Sequence, residues 1–348
     1  LALERPSQRA VAKRVDLRVR SDLLEMIKHL GTRLVRHRTI ASARASRPSW
    51  SWAISRQSSN GPSPYVTGDS THFGYSQVSI DEKEGKVREV FDKVANNYDL
   101  MNDLMSGGLH RLWKDNLLDC SNVAAMARMT RSFLSDGRDS ASPDLRILDV
   151  AGGTGDVAFR FVDAADCLER AKSTGLDPVS VTVCDINAEM LRVGESRARS
   201  RFGDALLDET KGLSFVQGNA QSLQFPDNSF DLYTIAFGLR NVTDVDMALR
   251  EANRVLKPGG RFMCLEFSHV TIPLLAKIYE TYSFQVIPAM GELVAKDRAS
   301  YQYLVESIRK FSKQEELVSR MQKAGFEGAK YTNLTGGIVA LHEGWKSI

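Results

Sequence analysis

Residues 145–160 read LRILDVAGGTGDVAFR: a short apolar run, three glycines within four positions, then a helix-forming segment. A strand that turns through glycines into a helix is the first βα unit of an open α/β sheet, whose ligands bind beyond the carboxyl ends of the strands. Gly152, Gly153 and Gly155 accept unusual dihedrals and leave no Cβ between backbone and ligand. The alternation continues downstream. VTVCDI, LSFVQGNA, FDLYTIAF and RFMCLEFS read as further strands, with helices through Met190 and Leu191 and over residues 244–256. The closing strands GAKYTNL and GIVALHEGW are joined by a short turn and are expected to be antiparallel. Ser312 and Glu315 have capping-box spacing ahead of a helix that Gly325 stops. The pattern predicts an α/β fold with a mostly parallel sheet covered on both faces.

The ligand is less easily read. Gly153 to Ala158 also spells G-x-G-x-x-A, the dinucleotide fingerprint, so a nicotinamide-dependent oxidoreductase is one reading. Asp156 opposes it. A carboxylate in the first turn of the helix occupies the place of a pyrophosphate and repels it, while favouring a cationic ligand. S-adenosylmethionine carries an ammonium and a sulfonium and no phosphate. The competing reading of Asp156 is a helix cap. Asp185 ends the second strand and is placed to accept from ribose hydroxyls, which marks an adenosine without choosing between the two ligands.

Charge divides the 348-residue chain. Thirteen of its 46 Lys and Arg but only four of its 43 Asp and Glu lie in residues 1–68, and the rest of the chain has six more acids than bases. An acidic body lacks the electrostatic footprint of a nucleic-acid binder. The head alternates Arg with aliphatic residues and has no acid between Glu25 and Asp69, a composition suited to a mitochondrial transit segment or a disordered basic tail. It opens on Leu1 rather than Met, so this start is expected to be incomplete or arbitrary. Residues 80–118 read as helices broken at Gly107-Gly108, and 120–144 as a polar surface loop. Cys120, Cys167, Cys184 and Cys264 have no C-x-x-C spacing, and no metal site is expected.

Three longer segments carry a resemblance. QGNAQSLQFPDNSFDLYTIAFGLRNVTD and LKPGGRFMCLEFS have the form of class I methyltransferases, and FDKVANNYDLMNDLMSGGLHRLWK lies upstream. From about residue 80 to its end the chain resembles the ubiquinone/menaquinone C-methyltransferase family. That resemblance implies a Rossmann-like class I fold: a seven-stranded, mostly parallel sheet with one antiparallel strand. It implies a basic targeting segment at 1–68, an N-terminal helical lid at 69–118 and a methyltransferase domain at 119–348. It implies S-adenosylmethionine-dependent C-methylation of a polyprenyl benzoquinol in ubiquinone (coenzyme Q) biosynthesis, in the mitochondrial matrix and peripheral on the inner membrane. Partners would be other enzymes of that pathway, or a second copy in a homodimer; a non-catalytic subunit of such a complex is the competing reading.

The matching donor positions are Gly152, Gly153, Thr154, Gly155, Asp185, Asn219 and Ala220, with Ala236 where the family often has Ser. Arg240, just past the fourth strand, is expected to stabilise a ring phenolate or orient a water, unless it pairs with an acid such as Asp244. Asn241 and Tyr98 are further catalytic candidates; Asn102 and Glu266 are candidates for substrate contact. His110 reads as a structural helix-end histidine. Tyr282, Phe284 and Met290 read as core, or as a channel for the prenyl tail.

Overall fold

The computed structural model describes residues 70–94, 102–103, 105–127, 145–165, 179–207 and 212–348. The head, Tyr98 and Cys167 lie outside the described residues.

A two-stranded antiparallel hairpin comes first, β1 (Ser70–Phe73) and β2 (Ser76–Ser79). Its turn uses Gly74 at φ 58°, an angle glycine adopts without strain. The expected lid is therefore not all helical. Helices α1 (Ile80–Val94) and α2 (Leu109–Ser121) follow. The polar stretch after Cys120 is not wholly a loop either: residues 123–127 are helical, and Val123 and Ala127 are buried in the core.

The central sheet then builds up from β3 (Leu145–Val150), α3 (Asp156–Ala164), β4 (Val179–Asp185), α4 (Ala188–Phe202), β5 (Leu213–Gln217), β6 (Phe230–Ala236), α5 (Val245–Val255) and β7 (Leu256–Phe267). Helices α6 (Pro273–Thr281), α7 (Ile287–Ala295), α8 (Arg298–Lys310) and α9 (Gln314–Lys323) precede β8 (Phe326–Leu334) and β9 (Val339–Lys346). The strand order is β5-β4-β3-β6-β7-β9-β8. All neighbours are parallel except β9, which runs antiparallel to both β7 and β8. That is the expected seven-stranded sheet with one reversed strand. The order reverses between β3 and β6, and there the connecting helices leave on opposite faces and open a crevice.

The core follows the two-residue period of the strands. Leu145 and Ile147 of β3 pack on one face with Leu117, Phe161 and Leu232, whereas Leu148 and Val150 pack on the other with Tyr233, Leu249 and Phe262. The same alternation turns Asp149 toward the first face, the face α2 and α3 cover. The expected capping box does not form. The residue before α9 is Lys313, without a side-chain cap; the Ser312 hydroxyl accepts from Arg320 and Glu315 accepts from Tyr331. Helix α5 is capped, by Asp244 accepting from the N–H groups of Asp246 and Met247 at 3.0 and 3.1 Å. Replacing Asp244 with Ala is expected to lower stability by about 1 kcal/mol, read as a shift in the midpoint of a denaturant titration.

Candidate active site

The carboxyl ends of β3, β4, β5 and β6 form the floor of one cleft, and α1 and α2 wall it in, enclosing about 1120 Å³ including space open to solvent. Gly152, Gly153 and Thr154 follow β3, Asp185 ends β4, Asn219 and Ala220 follow β5, and Ala236 ends β6; all line the cleft. Six of the seven expected donor positions, drawn from distant parts of the sequence, thus meet at one place, and Gly155 is not in the lining. Gly155, at φ 83°, precedes the first residue of α3, and Gly153 sits at φ 53°. At Gly152 a Cβ would lie 2.8 Å from the Asp149 carboxylate and 2.8 Å from Val183, so the turn admits no side chain there. Asp185 fixes that turn: its Oδ2 accepts from the Gly153 N–H at 2.9 Å and its Oδ1 from the Asn187 N–H at 2.8 Å. The Ile186 N–H also donates to this carboxylate, which leaves one of its four lone-pair sites for a ligand hydroxyl.

Two further acids meet behind the turn. Asp149, unremarked in the sequence, is buried at the cleft floor. Its Oδ1 accepts from the Thr234 hydroxyl at 2.7 Å across the β3–β6 pairing, and its Oδ2 has no partner. Burial pushes its carboxyl up to about 7 against the opposing Thr234 bond, and burial likewise pushes Asp185 up to about 6. Folding raises both above their ordinary values. Each therefore favours the folded state in acid, and loses that contribution as pH climbs through about 6 for Asp185 and about 7 for Asp149. Asp156, expected to receive a cation from the ligand, already has one. The Lys114 ammonium donates to its Oδ2 at 2.8 Å, and Arg160 stands 3.6 Å from Oδ1. Burial works to raise the Asp156 carboxyl, but Lys114 outweighs it and holds the group below the usual range. The cap reading fails too, because Gly155 is the capping residue.

Past β6 the chain makes a short turn, Leu239–Asn241. Arg240 does not pair with Asp244. Its Nη1 donates to Glu266 at 2.8 Å and to the Phe237 carbonyl, and its N–H donates to Glu266 at 3.2 Å. Glu266, expected to touch substrate, is fully buried and also accepts from the Phe267 N–H, so both of its oxygens are taken within the protein. Burial raises its carboxyl and Arg240 opposes the rise. Arg240 itself is buried beside the cleft rather than in its lining, and its Nε has no partner. Asn241 does line the cleft, and its Oδ1 accepts from the Tyr303 hydroxyl at 3.1 Å. Asn102 is half-buried, accepts from Ser106 through its carbonyl, and is not part of the lining. His110 is buried, 2.9 Å from the Ser106 hydroxyl, and burial lowers it to about 4. Tyr282 and Phe284 pack on a small cluster of Ile287, Tyr301 and Val305, which favours the core reading.

The roof is α1. Val87 and Phe91 face the cleft, and polar ties fasten the helix to three strand ends. Lys83 donates to the Val242 carbonyl at 3.1 Å, Asn219 donates to Glu84 at 3.3 Å, and Asn187 donates to Asp92 at 2.8 Å.

The chain is similar to known proteins over most of its length. A model of the ubiE/COQ5 methyltransferase family matches residues 79–346. The chain is 52% identical over 279 residues to "Ubiquinone/menaquinone biosynthesis C-methyltransferase UbiE" of Rhodopseudomonas palustris (strain TIE-1), covering 80% of this chain and 98% of that one. It is 50% identical over 309 residues to "2-methoxy-6-polyprenyl-1,4-benzoquinol methylase, mitochondrial" of Danio rerio, covering 82% and 87%. A solved SAM-dependent methyltransferase of Thermotoga maritima is more distant, at 19% identity, a TM-score of 0.45 and coverage of 74% and 99%.

The buried pair has a measurable signature. Arg240→Ala strands Glu266 and is expected to cost about 3–5 kcal/mol, most of it recovered in an Arg240→Met/Glu266→Leu double variant; chemical denaturation of the three proteins checks it.

Proposed function

Because the chain belongs to the ubiE/COQ5 methyltransferase family, we propose that it transfers a methyl group from S-adenosylmethionine to a ring carbon of a polyprenyl benzoquinol, in ubiquinone synthesis. The single observation that supports the donor best is Asp149 Oδ2, a buried carboxylate oxygen facing the cleft with nothing to accept from. A ligand ammonium supplies what it lacks. Asp185 suits the ribose hydroxyls, and Asn219 and Ala220 flank the space left for the adenine. The zebrafish relative's name supports the benzoquinol as substrate and the mitochondrion as compartment, and the basic head fits that compartment. Residence in the matrix, peripheral contact with the inner membrane, and assembly with neighbouring enzymes or a second copy are parts of the same proposal, motivated by the apolar tail.

The bound donor supplies an electrophilic methyl on a positively charged sulfur. The chain must make the ring carbon nucleophilic. A phenol ordinarily titrates near ~10, and loss of its proton drives charge onto the neighbouring carbon. Asn241 is the polar group at the strand-β6 end of the cleft. Tyr303 occupies its oxygen, which leaves the amide NH₂ to donate to a ring oxygen. Arg240 commits Nη1 to the protein and has Nε and Nη2 left to give, so it acts by ordering a water or by its charge, while Glu266 fixes its plane. Phe237 lines the cleft and packs on Trp113 and Phe267, a wall suited to a flat ring.

The test is incubation with labelled S-adenosylmethionine and a demethylated benzoquinol, with mass analysis of the ring. Label in the ring is expected; a naphthoquinol methylated in preference would reassign the substrate, and NADH binding in place of the donor would reassign the class. Asp149 gives a second test. Donor affinity should strengthen as pH rises between about 5.5 and 7.5, through the value of about 7 set by burial, with a proton released on binding. In Asp149→Asn binding should be weaker, with only the step near 6 from Asp185 remaining, as calorimetry in buffers of different ionisation heat would show.

A further inference from the structure

We propose that Lys114 holds the carboxylate of the donor's methionyl end. The inference rests on the S-adenosylmethionine reading above and extends it to the amino-acid end of that ligand. Lys114 lies on α2, in the segment LHRLWKDNLL, far in sequence from every glycine of the turn. It is buried, yet it lines the cleft. A buried ammonium needs partners for its three donors, and among the described residues Lys114 has one hydrogen bond, to Asp156 Oδ2 at 2.8 Å. The same cleft offers the complementary defect: Asp149 Oδ2, a buried acceptor without a donor. The two charges act on one another, since Lys114 opposes the rise in the Asp149 carboxyl.

A cation with donors to spare and an anion with an oxygen to spare, lining one cleft and within electrostatic reach of each other, match a zwitterion. The ammonium of an α-amino acid goes to Asp149 and its carboxylate to Lys114. Asp156 then serves as a positioning residue. It anchors Lys114 from α3, and Arg160 keeps it charged from the next turn. A dinucleotide carries no ammonium on the same carbon as a carboxylate, so it does not satisfy both groups at once.

The test compares binding of S-adenosylmethionine with that of its decarboxylated analogue, which keeps the sulfonium, the ammonium and the adenosine. Calorimetry on the full chain should find the analogue weaker by roughly 10- to 100-fold. Lys114→Met should weaken S-adenosylmethionine by a similar factor and leave the analogue unchanged or tighter, and Lys114→Arg should retain most of the preference. Equal affinity of the wild-type protein for both ligands overturns the assignment without any variant, as does an equal loss for both in Lys114→Met. If neither ligand binds the wild-type protein, the donor reading itself falls, and this inference with it.

Discussion

A carboxyl group buried at the end of the central strand constrains the whole site. Asp149 sits where β3 meets the glycine turn, and three separate features answer to it. Thr234, directly across on β6, satisfies one oxygen and thereby ties the two strands at the point where the sheet order reverses. Gly152 leaves room for the other, since any side chain there would press into the carboxylate. Burial holds the group near neutrality in its proton affinity, so a passing cation can tip it into its charged form. A hydrophobic residue at this position would strand the buried Thr234 hydroxyl and offer a ligand no acceptor.

Around that point the chain distributes opposite charges with little waste. Lys114 faces Asp156, and Arg240 faces Glu266. The second pair is sealed from solvent and accounts for both groups' burial, because either one alone would be costly. It fixes the turn that presents Asn241. The first pair stays open to the cleft. The contrast separates what the protein spends on its own shape from what it offers to a ligand.

Much of this was legible in the sequence, for physical reasons. The strands announced themselves through apolar runs of the right length, and Gly152 to Gly155 through their spacing. Asp185 and Asn219 stood at strand ends, where ligands bind. Other features depend on contacts that no local pattern encodes. Asp149 was hidden inside the run RILDVA, where an acid reads as an interruption of an apolar strand. Lys114 carries no local signal, because its burial follows from α2 packing its neighbours Trp113 and Leu117 into the core. The partner of Arg240 lay 26 residues away on β7, while a surface acid stood closer in sequence. The hairpin at 70–79 has strands of only four residues with mixed polarity, too short for periodicity to register.

That hairpin reaches further than its size implies. Phe73 stacks on the Tyr303 ring at 4.0 Å between centroids, and the other end of Tyr303 orients Asn241. Glu306, one turn along α8, accepts from the Tyr75 N–H and so clamps the same hairpin. The family match begins only at residue 79. A protein trimmed to that boundary would keep every strand of the large sheet and every residue lining the cleft, yet lose the buttress behind the Asn241 amide. The working unit therefore begins upstream of the first residue the family model matches, within the part of the chain that the curated relatives also cover.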